Sequence, residues 1–244
     1  MLASIVFRAV QAGLAVGLIV ALAHQLWTVP LIRQAEVYEH AAETRVAAPS
    51  RAHDHGDAHD HDHGGDSWAP AEGFERAAFT VGADILTAIG FALLLSGAYV
   101  LSGRRVAWRE GVLWGLAGFA AFSLAPSLGL PPELPGMPET PLASRQAWWI
   151  ATAALTAAGL ALLLLHRRPW SIALAIVLIA APHLWGAPAP STESGAVPVA
   201  LWRSFVIAAT ATSFLSWVLL GALTGYLHER ATRGTTAPAQ RGVG

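Results

Sequence analysis

The chain has 244 residues, 54% of them hydrophobic and 13% charged, and a formal net charge of −1. Soluble domains carry about 25% charged residues, so about half the usual charge is missing and a soluble globular class is excluded. Cysteine is absent, which excludes disulfides, thiolate metal sites and cysteine nucleophiles, and no cluster of basic residues points to nucleic acid.

A membrane span takes about 20 apolar residues to cross a hydrocarbon core of about 30 Å. Such runs fall at 5–29, 78–101, 110–128, 147–165, 171–187 and 204–226. The expected fold is therefore all-α, a polytopic membrane helix bundle with six transmembrane helices. Five is the alternative, because 171–187 is short and contains Pro182. The first run does not read as a cleaved signal peptide. Its apolar region is too long, and no small-residue cleavage site precedes the Glu/His-rich stretch. The chain divides into a first span (1–32), an external His/Asp-rich loop (33–76), the remaining spans (77–228) and a disordered cytoplasmic tail (229–244). The loop is expected to start as a helical extension of span one through "LIRQAEVYEHAAETR". The proline-rich residues 129–145 form a second external loop.

Arginine placement orients the bundle. Arg104, Arg105 and Arg109 follow span two, Arg167 and Arg168 follow span four, and Arg230, Arg233 and Arg241 follow span six. With six spans all three groups share one side, which the positive-inside rule makes cytoplasmic. With five, they split. Glu36, Glu39, Glu43, Glu72, Glu75, Glu133, Glu139 and Glu193 then lie outside with the His/Asp loop, and both termini lie inside.

That loop contains "HDHGDAHDHDH" at 53–63, with half of the chain's ten histidines. His53, His55, His59, His61 and His63 alternate with Asp54, Asp60 and Asp62. Imidazole suits cobalt, nickel, copper and zinc, and carboxylates add oxygen ligands. Glycines let such a segment wrap an ion, and affinity should fall below about pH 6.5 as the imidazoles protonate. A solvated polar linker is the plainer reading. A mobile loop collects ions better than it selects among them, because selection needs fixed geometry.

Three ionisable residues lie inside spans: His24, Asp84 and His183. A charge at a helix centre costs about 2.5–3.5 kcal/mol on insertion scales, so it normally faces protein. The orientation above places all three in the outer half. Gly13 and Gly17 form a GxxxG pair that favours close packing, and His24 shares their face. Asp84 lies between Thr80 and Thr87 on a polar stripe. Span six carries Arg203, Thr210, Ser213 and Thr224 with Gly221, a candidate polar path. Pro182 frees the carbonyl of Leu178 beside His183. His24, Asp84 and His183 are therefore candidates for one metal site. Plainer readings place His24 beside Trp27 and His183 beside Trp185 in the interface, and make Asp84 the structural partner of Arg76 or Arg203.

The opening "VFRAVQAGLAVGLIVALAHQLWTVPLIRQAEVYE", the His/Asp loop, "GVLWGLAGFAAFSLAPSLGLPPELPG" (111–136) and "RQAWW" (145–149) resemble the CbtA family, cobalt transporter subunits. The similarity covers most of the chain, and His24, Glu36 and Glu39 lie in the matching opening. The resemblance implies a bacterial inner-membrane protein for cobalt uptake, working with a small His-containing membrane subunit, CbtB. Family descriptions commonly count five spans.

No Walker A motif is present, so the chain is not its own ATP motor. The membrane potential gives a divalent ion about 4.6 kcal/mol per 100 mV. The expected function is uptake of a divalent transition metal, Co²⁺ first, with Ni²⁺ or Zn²⁺ as alternatives, and not an enzyme activity. The loop would collect the ion and pass it to the outer-half site. A metal sensor or metallochaperone without transport is one alternative, and a haem protein with His24 and His183 as axial ligands is a second. The residue pattern alone fits efflux as well as uptake.

Overall fold

The computed structural model describes residues 2–47, 70–71, 73–138, 140–166, 168–190 and 195–235. Segment 53–63 lies outside them, as do Glu72, Glu139, Arg167, Glu193 and Arg241. Every regular element among the described residues is helical. Helix α1 (Leu2–Ala23) passes through a π-helical turn (His24–Thr28) into α2 (Val29–Ala47), so the expected extension of span one is present. Helix α3 (Phe74–Ser102) follows. Helix α4 (Trp108–Phe119) passes through a second π turn (Ala120–Leu124) into α5 (Ala125–Gly129). Then come α6 (Leu142–Leu165), α7 (Pro169–Trp185) and α8 (Val199–Thr235).

Five of these helical stretches are long and apolar enough to cross a membrane: Leu2–Ala42, Phe74–Ser102, Trp108–Gly129, Leu142–Leu165 and Val199–Arg233. The expected sixth span is α7, which has 17 residues, about 25 Å at 1.5 Å per residue. It falls short of the other five, yet it runs the same end-to-end course. The Arg104 guanidinium donates to the carbonyl of Leu164, which places the α6–α7 corner at the arginine end. His183, near the end of α7, packs on Trp148 near the start of α6. Trp170 and Trp185 stand exposed at the two ends of α7, the usual place for interfacial anchors.

Residues 229–235 correct the boundary of the expected disordered tail. They continue α8, with Glu229 and Arg233 paired one turn apart, a spacing that supports a helix.

Glycine sets the closest helix contacts. A Cβ on Gly13 would lie 2.4 Å from the Cα of Ile89, and one on Gly17 would lie 2.6 Å from that of Ile85. Helices α1 and α3 therefore run antiparallel at near backbone contact. Gly111 and Gly221 do the same for α4 and α8: a Cβ on Gly221 would sit 2.2 Å from the carbonyl oxygen of Gly111. Between these pairs lies the main core, with Val16, Leu95, Tyr99, Trp217 and Leu220. Leu18, Leu22, Leu86, Ile172 and Ile176 are exposed, as expected where the outer solvent is hydrocarbon.

One end of the bundle carries Arg8, Arg104, Arg105, Arg109, Arg168, Arg230 and Arg233. At the other, the proline-rich segment packs between the α2 extension and the start of α8 through Ala35, Leu134 and Phe205. The Trp202 indole donates to the carbonyl of Pro132 at 3.0 Å, and the Ala196 amide donates to that of Gly136.

Gly221→Val is expected to force α4 and α8 apart and to destabilise the protein by about 1–3 kcal/mol, the usual cost of overpacking. Thermal unfolding in detergent reads it. A melting temperature equal to wild type would contradict the observed approach of the two backbones.

Candidate functional site

The site grows from an irregularity in the first helix. At His24–Thr28 the backbone widens, and the Val29 amide donates to the carbonyl of His24 in a π pattern. The Thr28 hydroxyl donates to the same carbonyl at 3.0 Å. Pro30 follows two residues later and has no amide hydrogen to donate. The second π turn repeats the arrangement, ending at Leu124 two residues before Pro126. In both spans an extra residue is taken into the turn just before a proline. Such bulges recur at functional sites.

The close approach at Gly13 and Gly17 brings α3 against the same face. In a helix each Cα–Cβ bond tilts toward the helix N-terminus. Because α1 and α3 are antiparallel, His24 and Asp84 lean toward each other. His24 Nδ1 lies 3.0 Å from both carboxylate oxygens of Asp84. The side chains are 29% and 15% exposed, so the pair is largely withdrawn from solvent. An ionised carboxylate only accepts, so Nδ1 is the donor in this contact.

His24 lines a cavity of about 260 Å³ between α1, α2, α3 and α8, with Gln25, Thr28, Arg76, Thr80 and Phe205. Asp84 is not among the lining residues. This is how metal-binding histidines are commonly held: one ring nitrogen is fixed by a carboxylate while the other is presented to the ion. Glu36 and Arg76 form an ion pair between α2 and α3 beside the opening.

The possible metal donors in the lining are one imidazole, one amide and two hydroxyls, and Arg33 and Arg76 add guanidinium groups to the same lining. Imidazole suits borderline ions such as Co²⁺, Ni²⁺ and Zn²⁺, whereas Mg²⁺ and Ca²⁺ favour carboxylate and carbonyl oxygen. Among the described residues no three His, Cys, Asp or Glu side chains gather into a metal-holding group. A single imidazole with neutral oxygens makes a site an ion can leave, as conduction requires.

His183 does not join this pair. It sits on α7 against Trp148, with ring centroids 6.1 Å apart. Helix α7 packs on α6, while the helix of His24 packs on α3 and α8. Equal depth in a membrane does not fix which side of a bundle a residue faces, and that is why the three-residue grouping failed. The same separation works against His24 and His183 as axial ligands of one haem. The arginine alternatives for Asp84 also fall away, because Arg76 pairs with Glu36 and Arg203 is exposed.

The proposed polar face of span six divides. Ser213 donates to Ser123 in the second π turn at 2.7 Å, joined there by the Trp217 indole at 3.1 Å. Thr224 meets Tyr99 of α3 instead. Thr212, which the sequence pattern did not single out, is wholly buried and its hydroxyl has no partner. The prolines that follow "HQLWT" and "AAFSL" were the available signal for the two π turns.

Asp84→Asn keeps the shape, removes the charge and leaves one neutral amide oxygen where two carboxylate oxygens held the ring. Loss of such a partner typically costs about 10–100-fold in metal affinity. Co²⁺ titration of the purified variant should show that loss while the protein still accumulates and melts normally. Unchanged affinity would remove Asp84 from the site, and reduced accumulation would mark it as structural.

A model of one known family matches residues 2–229, nearly the whole chain, and its description is "Probable cobalt transporter subunit (CbtA)". No curated protein and no solved structure matches the chain. A transporter subunit embedded in lipid fits the apolar helices, and the chain belongs to the CbtA family.

Proposed function

We propose that this protein takes up a divalent transition-metal ion, Co²⁺ before Ni²⁺ or Zn²⁺, across the bacterial inner membrane. The observation that carries the reading is the His24–Asp84 pair. A carboxylate holds one nitrogen of an imidazole that also lines a cavity. The family description supports cobalt as the cargo.

The arginines gathered at one end of the bundle support a cytoplasmic assignment for that end. His53, His55, His59, His61 and His63, with Asp54, Asp60 and Asp62, then lie outside and collect the ion. From them it passes to His24 Nε2. Asp84 acts as the orienting partner rather than as a direct ligand. The inside-negative potential drives entry: about 4.6 kcal/mol per 100 mV for a divalent ion corresponds to a gradient of about a thousandfold or more. A small His-containing membrane subunit of the CbtB kind is the proposed partner. A sensor or metallochaperone would bind the ion equally well, and only movement of the ion separates the readings.

Radioactive cobalt uptake at limiting external metal, in cells with and without the gene, tests this. Uptake should depend on the gene. Equal uptake in both would end the transport reading. Deleting residues 53–63 should reduce uptake at nanomolar cobalt more than at saturating cobalt, and equal reduction at both would remove the collector role.

Single cysteines at Ala58 and Arg105, introduced into this cysteine-free chain, test the orientation. An impermeant reagent added outside should label position 58 and spare 105. The reverse pattern would invert the proposed topology.

A further inference from the structure

The cavity beside His24 lies at the outer end of a seam between α1, α3 and α8. The same three helices enclose a second polar cluster at the arginine end. The Tyr99 hydroxyl is 2.9 Å from that of Thr224, which also donates to the carbonyl of Leu220. Tyr99 is 1% exposed, Thr224 4% and Ser96 8%. The ring of His228 stands edge-on to that of Tyr99, with centroids 5.7 Å apart. Ile5, Arg8, Ser96, Thr224 and His228 enclose about 10 Å³, roughly the space of one water.

Arg8 closes this end. Its Nε donates to the carbonyl of Ser4 on its own helix, and Nη1 reaches the carbonyl of Leu227 on α8 at 3.4 Å. Between the two ends lies the buried hydroxyl of Thr212, without a partner. A helical threonine normally donates to the carbonyl one turn back, as Thr28, Thr80, Thr152 and Thr224 do. A buried hydroxyl without a partner is costly. The three helices thus bring polar atoms together at two levels, around His24 and around Tyr99.

We propose that the inner end of this seam is the exit station for the cation, with His228 as its ligand and the Arg8–Leu227 contact as its latch. His228 offers the same kind of donor as His24, an imidazole for a borderline ion, with the Ser96 and Thr224 hydroxyls and the Arg8 guanidinium in the same lining. A guanidinium and a divalent cation repel each other, so Arg8 must leave the carbonyl of Leu227 before the ion can pass. This inference rests on the reading of the protein as a cation transporter.

Two measurements on the full-length protein test it. In cells lacking the native gene, His228→Ala should lower cobalt uptake by about tenfold, while Co²⁺ binding by the purified variant stays at the wild-type level. In inside-out vesicles, a cysteine at Ser96 should react slowly with an impermeant reagent. Adding Arg8→Gln should speed that reaction by about fivefold, with a control cysteine at Arg105 unaffected. If His228→Ala transports like wild type and Arg8→Gln leaves Ser96→Cys labelling unchanged, the exit station and its latch are wrong. Should His228→Ala fail to accumulate, the labelling comparison alone decides: unchanged labelling overturns the inference. Wild-type cells that take up no more cobalt than cells without the gene would instead sink the transport reading beneath it.

Discussion

A carboxylate inside a membrane span has to be satisfied by protein, and that constraint organises this molecule. Asp84 lies eight residues beyond Arg76, about 12 Å along the helix. Its partner is the imidazole of His24, reached only because α1 and α3 touch backbone to backbone at Gly13 and Gly17. Larger residues at those positions would hold the helices apart and leave the carboxylate unpaired in a medium without water. The packing glycines, the π turn and the ion pair of Glu36 with Arg76 therefore serve one local requirement. The consequence for chemistry is an imidazole held at one nitrogen by a carboxylate and lining a cavity.

That single imidazole distinguishes this arrangement from a storage or structural metal site. Closed zinc sites hold their ion with four ligands. Here the described residues around the cavity supply one imidazole, and the remaining donors are neutral oxygens. Binding of this kind is brief by construction. The sequence holds a denser set of imidazoles and carboxylates at residues 53–63, for which capture of the ion is the role proposed above.

Much of the bundle was legible in the sequence because hydrocarbon imposes a length and a polarity on every span. All six apolar runs became helices, and the extension beyond span one followed the pattern of "LIRQAEVYEHAAETR". GxxxG at Gly13 and Gly17 correctly placed His24 against protein. Azimuth was harder to read. His24, Asp84 and His183 share a depth, but α7 is packed on α6, and no one-dimensional pattern says which helices are neighbours. The face of span six misled for the same reason: Ser213 and Thr224 are polar at helical spacing, yet one meets the second π turn and the other α3. The role of Asp84 also shifted. Sequence alone offered it as a ligand, and the 3.0 Å contacts to Nδ1 make it the group that aims the ligand.

The central claim is that His24 Nε2 binds the ion inside the membrane. X-ray absorption of Co²⁺ bound to protein lacking residues 53–63 addresses it most directly, because the collecting histidines are then gone. The account predicts scattering from one imidazole at the cobalt, lost on changing His24 to Ala. Cobalt that keeps its imidazole signal without His24 would contradict it.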